Sequence, residues 1–192
     1  MAHRFSELTF TPAVEAAQRK FGSFETMQSL RQRLPDFDRL GERERHFIGQ
    51  RDSFYLATIS ESGWPYIQHR GGEPGFLRIL SETRLAFANY VGNRQYQSLG
   101  NISHQENVSL FLVDYPNKRR MKLLGKAKFY LLTDLPEQLQ GVFGKDVAQK
   151  KVESIVQIDL EAFDWNCPQH LTPRFSEQEW LDKINLTEGN KQ

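Results

Sequence analysis

Four groups of residues in the sequence have types and spacings that could do chemistry. In PYIQHRGGEPGF, residues 65–76, Arg70 stands beside Gly71 and Gly72 between two apolar runs. Glycines let backbone amides approach an anion with no Cβ in the way, and an arginine adds a planar fork of donors. The same residues also make an ordinary bent hairpin loop with a solvated arginine, because Gly and Pro dominate turns. In NYVGNRQYQSLGN, residues 89–101, a glycine precedes Asn93, Arg94 and Gln95 at the predicted start of a short helix. Free amides and the positive dipole end make that position a seat for phosphate, and Ser98, one turn from Arg94, could face the same ligand. A capped surface helix is the plainer alternative, and the Gly-Lys-Ser/Thr ending of a Walker loop is missing.

The third group is NKRRMKLLGKAKF. Read as a strand, it places Lys118, Arg120, Lys122, Lys126 and Lys128 on one face and Arg119, Met121, Leu123, Ala127 and Phe129 on the other. Such a stripe could serve an anionic ligand or a nucleic acid. A solvated edge strand guarded by lysines is the commoner explanation, and no aromatics interleave with it as a nucleic-acid face requires. The fourth group is DWNCPQHLTPRF, residues 164–175. Cys167 and His170 have the spacing of half a zinc site, but no second pair lies nearby, so no metal is expected. Trp165, Gln169, His170 and Arg174 could instead form one wall of a ligand pocket, held in shape by two prolines. A rigid connector over the core with Trp165 buried is the alternative. There is no Gly-x-Ser-x-Gly elbow and no His-Glu-x-x-His motif, so hydrolase chemistry finds no support.

These residues need a scaffold, and the chain is long enough to build one. Its 192 residues suffice for one domain with a real core, and 26% charged and 39% hydrophobic residues are ordinary globular values. A net charge of +1 is low for a polyanion binder, and the single cysteine excludes internal disulfides and fits a reducing compartment. The N-terminus carries charges throughout, and no apolar run approaches a membrane span. The expectation is a soluble, cytoplasmic protein that contacts neither membrane nor nucleic acid. Residues 1–51 read as helical: Thr11 caps, Pro12 opens AVEAAQRKF and Gly22 closes it, ETMQSLRQRL stops before Pro35, and Leu40, Glu44, Phe47 and Ile48 recur at helical spacing. From residue 52 the vocabulary is strand-like. SFYLATIS and WPYIQHR read as a hairpin, followed by FLRIL, RLAFANY, NVSLFLVDY, RRMKLLGKAKFYLL and VESIVQIDLEAF. Helices are predicted at NRQYQSLG, around residues 134–151, and at SEQEWLDKIN. The fold class is therefore mainly β (α+β), an antiparallel barrel or sandwich over residues 52–175, with a helical N-terminal segment and a C-terminal helix and tail over 176–192.

In this order the groups resemble the pyridoxamine 5'-phosphate oxidase-like FMN-binding proteins, which share a split β-barrel. The resemblance covers roughly residues 40–175, and the QHRGG-x-PGF and GNRQY blocks mark one branch of the family. It implies a homodimer with FMN at the subunit interface. By position it assigns Arg70 and Gly71 to the loop that approaches the flavin, and Phe76, Leu77 and Arg78 to a strand flanking its ring and tail. Ala88 and Asn89 meet the cofactor through their backbone. Arg94 takes the phosphate, with Asn93, Gln95 and Ser98 beside it. Arg120 and Lys122 belong to a strand that reaches FMN from the partner subunit, and Trp165 and Arg174 close the pocket.

The sequence departs from the oxidase itself in two places. The Arg-x-His pair that holds substrate phosphate is replaced by CPQHLTPRF, and Met121 stands where a glutamine usually meets the flavin edge. The implied function is an FMN-dependent oxidoreductase on a small molecule other than a vitamin B6 phosphate. Its flavin would be reduced by NAD(P)H docking transiently, because no dinucleotide fingerprint is present, and His170 is the candidate proton donor. A non-catalytic flavin or haem binder is the alternative class.

Overall fold

Alternation of burial shows how the long strands sit. The structure, a computed structural model, describes residues 3–149 and 151–189. In the strand Arg119–Leu131, Met121, Leu123, Gly125 and Ala127 point inward while Lys122, Lys126 and Lys128 point away, as the sequence predicts. Seven antiparallel strands form one sheet: β1 (Ser53–Ile59), β2 (Pro65–Gly71), β3 (Arg78–Ser81), β4 (Arg84–Tyr90), β5 (Asn107–Asp114), β6 (Arg119–Leu131) and β7 (Val152–Trp165). Their spatial order is β2-β1-β5-β6-β7-β4-β3. β7 is buried along most of its length because β6 and β4 flank it and the core packs on it.

The sheet curls until its ends meet, giving the split barrel of the expected α+β class. Phe54 of β1 meets Phe87 of β4 edge-on at 5.3 Å and stacks on Phe76 at 5.5 Å, so strands from opposite halves of the sheet share one core. The curl needs a close approach at Gly125, beside a register shift between Leu124 and Gly125. A Cβ there would lie 2.6 Å from the Asp159 carbonyl oxygen, so only glycine fits.

Helices complete the domain. They are α1 (Arg4–Thr9), α2 (Pro12–Lys20), α3 (Phe24–Arg33), α4 (Glu42–Gly49), α5 (Gln97–His104), α6 (Glu137–Gln149) and α7 (Glu177–Gly189). Thr11 caps α2 by accepting from the Val14 amide, and Gly22 follows with φ +73°. Helix α4 plugs one end of the barrel with Phe47 and Ile48, and Leu40 just before it is also fully buried. Helix α1, which the sequence reading missed, is a six-residue turn held on β7 by Arg4 and Glu161 at 3.0 Å. Helices α2 and α3 bury no residue completely. No helix among the described residues is long and apolar enough to cross a membrane.

Candidate functional site

Strand β2 alternates, so Tyr66, Gln68 and Arg70 share one side while Ile67, His69 and Gly71 take the exposed one. The first set lines a polar cleft of about 190 Å³. Its opposite wall comes from Asn89 and Tyr90 at the end of β4, the loop Gly92–Tyr96, the start of α5 and Glu153 of β7. Of the predicted residues, the cleft brings together Arg70, Asn89, Asn93, Arg94, Gln95 and Ser98.

Arg70 is the least compensated charge there. Its Nη1 donates to Asn89 Oδ1 at 2.9 Å, its Nε is buried without a partner, and it pairs with no carboxylate among the described residues. Burial pushes the guanidinium below its ordinary pKa. Asn89 is held for this task, because its Nδ2 donates to Ser154 Oγ at 3.3 Å and so turns Oδ1 toward Arg70. Ser98 Oγ donates to Gln68 Oε1 at 2.8 Å, which ties α5 to β2 across the cleft.

The loop before α5 departs from the predicted helix. Arg94 and Tyr96 adopt left-handed backbone with φ +60° and +51°, so α5 begins only at Gln97 and Arg94 lies before its first turn. Arg94 Nε donates to the Tyr96 hydroxyl at 3.2 Å, and that hydroxyl donates to Glu153 Oε1 at 2.9 Å. The bond to Tyr96 raises the Arg94 pKa further. The Gly-rich loop also differs from expectation. The Gly72 and Gly75 amides donate to the carbonyls of Asp52 and Arg51, at 2.8 Å and 3.2 Å. Those amides therefore hold the loop to the chain, and the Arg70 side chain is what faces the cleft.

The remaining predicted residues lie elsewhere. Gly71 ends β2 on the exposed side. Phe76, Leu77 and Ala88 are buried among core side chains, and Arg78 sits 3.8 Å from Asp146 of α6. A second group gathers beyond β5. Arg120 donates to the carbonyls of Cys167 and Gln169, and Lys122 pairs with Asp164 at 3.3 Å. Trp165 packs on Phe47 and donates its Nε1 to Glu44 Oε1 at 2.9 Å. The Arg174 guanidinium lies 5.3 Å from the Tyr115 ring centre, while His170 is exposed with φ +60°. Met121 is fully buried and faces the core. Lys122 and Lys126 face carboxylates, Asp164 and Glu161, so two of the five cations of the basic stripe are paired. Among the described residues no cluster of His, Cys, Asp and Glu is placed to hold a metal ion.

The sequence reading missed Tyr66, Gln68, Tyr96 and Glu153. Tyr66 and Gln68 were findable, since they alternate with Arg70. Glu153 was not, because only the sheet brings it to the loop before α5.

The family model for pyridoxamine 5'-phosphate oxidase matches residues 40–163, from two residues before α4 to near the end of β7. The chain belongs to the pyridoxamine 5'-phosphate oxidase-like family. That family is of the flavin-binding, oxidoreductase type. The match stops before Trp165 and the segment that follows it. HupZ from Group A Streptococcus is similar in fold, with a TM-score of 0.55 at 13% identity over 71% of this chain and 99% of that one. A putative pyridoxamine 5'-phosphate oxidase from Lactobacillus delbrueckii gives 0.52 at 19% identity over 66% and 94%. No curated protein matches the chain.

Proposed function

We propose that the chain is an FMN-binding oxidoreductase acting on a small molecule, with the flavin phosphate in the cleft between β2 and α5. The observation that carries this reading is Arg70, a half-buried cation whose Nε is buried and unpartnered and which meets no carboxylate among the described residues, facing a cleft also lined by Arg94 and Ser98. An uncompensated buried charge is costly, and an anionic ligand offsets that cost. Asn89 orients the guanidinium, Gln68 holds the Ser98 hydroxyl at the cleft, and Arg94 adds a second positive charge from the exposed rim. When bound, the flavin supplies the redox chemistry, taking up a hydride and passing electrons on.

The second group of predicted residues enters through a homodimer. The outer face of β1 and β2 carries exposed apolar side chains, with Ile67 65% exposed and Tyr55 and Ile59 beside it. Such a patch marks an interaction surface. In the proposed dimer a second copy covers this patch and brings Arg120, Lys122, Trp165, Gln169, His170 and Arg174 toward the first copy's cleft. There the cations favour the anionic reduced flavin, and His170 gives a proton to the substrate. A cytoplasmic setting supplies NAD(P)H as the donor. The test is anaerobic addition of NADPH to the flavin-loaded protein. Bleaching of the flavin bands and their return with air supports an oxidoreductase; no bleaching with either NADPH or NADH contradicts it.

A further inference from the structure

Strand β7 departs from regular pairing near its start. Asn89 of β4 pairs with Ser154, and the next residue, Tyr90, pairs with Val152, so Glu153 is the extra residue of a bulge. A bulge bends its strand and re-aims a side chain. Here it delivers Glu153 to the loop that leaves β4, whose first residue, Val91, donates its amide to the Lys151 carbonyl at 2.8 Å. Glu153 and Ser154 then each hold one arginine of the cleft through one intermediary. Ser154 accepts from Asn89, which accepts from Arg70; Glu153 accepts from the Tyr96 hydroxyl, which accepts from Arg94 Nε. The second chain has a fixed direction. A phenol has one proton and a carboxylate can only accept, so that proton goes to Glu153 and the oxygen's lone pairs are left for Arg94. Among the described residues no other hydrogen bond holds the Arg94 guanidinium, so its two terminal nitrogens remain as a fork for an anion.

Resting on the proposed seat for a flavin phosphate, we propose that Tyr96 and Glu153 are positioning residues for Arg94, a relay from the β7 bulge that sets its guanidinium for the ligand phosphate. Arg94, Tyr96 and Glu153 all line the cleft that Arg70 faces. Arg94 is exposed, and a long exposed side chain left free would have to be ordered when the ligand binds. The relay orders it beforehand, so binding loses less side-chain freedom. The hydroxyl between them matters for charge. Glu153 orients Arg94 without forming an ion pair with it, and the cation keeps its charge for the phosphate. The backbone fits the same account. Left-handed conformations at Arg94 and Tyr96 persist only where their surroundings fix them, and the bond from Tyr96 to Glu153 ties that loop to β7.

The experiment titrates FMN, followed by its fluorescence, into the full-length wild type, Tyr96→Phe, Arg94→Ala and the double variant. Tyr96→Phe keeps the ring and removes only the hydroxyl. It is expected to weaken FMN binding at least about fivefold in the wild-type background and to add nothing in the Arg94→Ala background, where Arg70 keeps binding measurable. Glu153→Ala is expected to match Tyr96→Phe without adding to it. Glu153→Gln, whose amide oxygen still accepts from the hydroxyl, is expected to recover most of that loss. A Tyr96→Phe effect of the same size in both backgrounds means a disturbed loop and overturns the relay. FMN binding unchanged in Tyr96→Phe or in Arg94→Ala also overturns it, and leaves the flavin reading standing on Arg70. Glu153→Gln as weak as Glu153→Ala overturns the place of Glu153 in the relay. If the wild type binds no FMN, the flavin reading fails and the relay fails with it.

Discussion

The Arg70 guanidinium on β2 meets the Asn89 amide oxygen on β4 at 2.9 Å, joining two strands that four others separate around the sheet. A side-chain bond thus closes the barrel where backbone pairing does not. It also sets a half-buried cation at the mouth of a cleft with no carboxylate partner among the described residues. Closure and ligand binding share one residue.

That sharing predicts opposite effects from a near-isosteric change. Asn89→Asp places a carboxylate on Arg70, and the Ser154 hydroxyl can turn to donate to it. Charge-assisted hydrogen bonds are roughly twice as strong as neutral ones, so the flavin-free protein gains about 1 kcal/mol and about 2–4 °C in Tm. FMN affinity falls at least about tenfold because the internal carboxylate replaces the phosphate. Thermal melts and flavin titration check both; a lower Tm with unchanged affinity contradicts the role given to Arg70.

The dimer is tested at Ile67, which is 65% exposed in the single chain. Ile67→Asp leaves the barrel core untouched and puts a charge into the proposed interface. Sedimentation is expected to show monomer for the variant and dimer for the wild type, with flavin retention lost on the change. A variant that stays dimeric removes this face from the interface.

Much of the fold was legible because it rests on periodicity. Leu40, Glu44, Phe47 and Ile48 read as one helical face; the last three are buried on α4, and Leu40 is buried just before the helix begins. The alternation of β6 is as the sequence predicts. The start of α5 was not legible, since nothing in the types of Arg94 and Tyr96 signals left-handed backbone. The Gly-rich loop misled for a different reason: its glycines suit an anion cradle and a tight hairpin alike, and only the carbonyls of Arg51 and Asp52 show which amides are taken. The Arg94–Tyr96–Glu153 chain spans 57 residues between Tyr96 and Glu153, a separation that local patterns do not bridge.

The N-terminus carries a pH dependence. His3 is buried beside Phe37, with Nδ1 at 2.9 Å from Ser6 Oγ and its Nε2 unpartnered. Burial lowers its pKa from 6.5, against the opposing pull of Asp164 and Asp36 and with a smaller contribution from Arg31. The folded value lies below the unfolded one, so in the interval between them the unfolded chain binds more protons. Stability is therefore full above about 6.5, declines as pH falls toward the folded value, and levels off below it. Melts from pH 8 to 5 check this; His3→Gln is expected to flatten the decline in that interval, and an unchanged profile contradicts the assignment.

Gly125 tests the curl of the sheet. Gly125→Ala drives a Cβ to 2.6 Å from the Asp159 carbonyl and 2.7 Å from Ile158 Cγ2. The β6–β7 pair must separate, at a cost of about 1–3 kcal/mol in urea unfolding, as for other overpacked sites. No loss of stability would mean the strands can part freely at this point.

The most direct measurement is the visible absorption spectrum of the purified protein, followed by FMN titration of the wild type and of Arg70→Met. The account predicts a two-banded flavin spectrum, or its full recovery on adding FMN, and a loss of affinity of at least about a hundredfold in the variant, since a charged hydrogen-bond partner is removed from a half-buried site. A colourless wild type that FMN does not reconstitute, or a variant that binds FMN as well as the wild type, would contradict it.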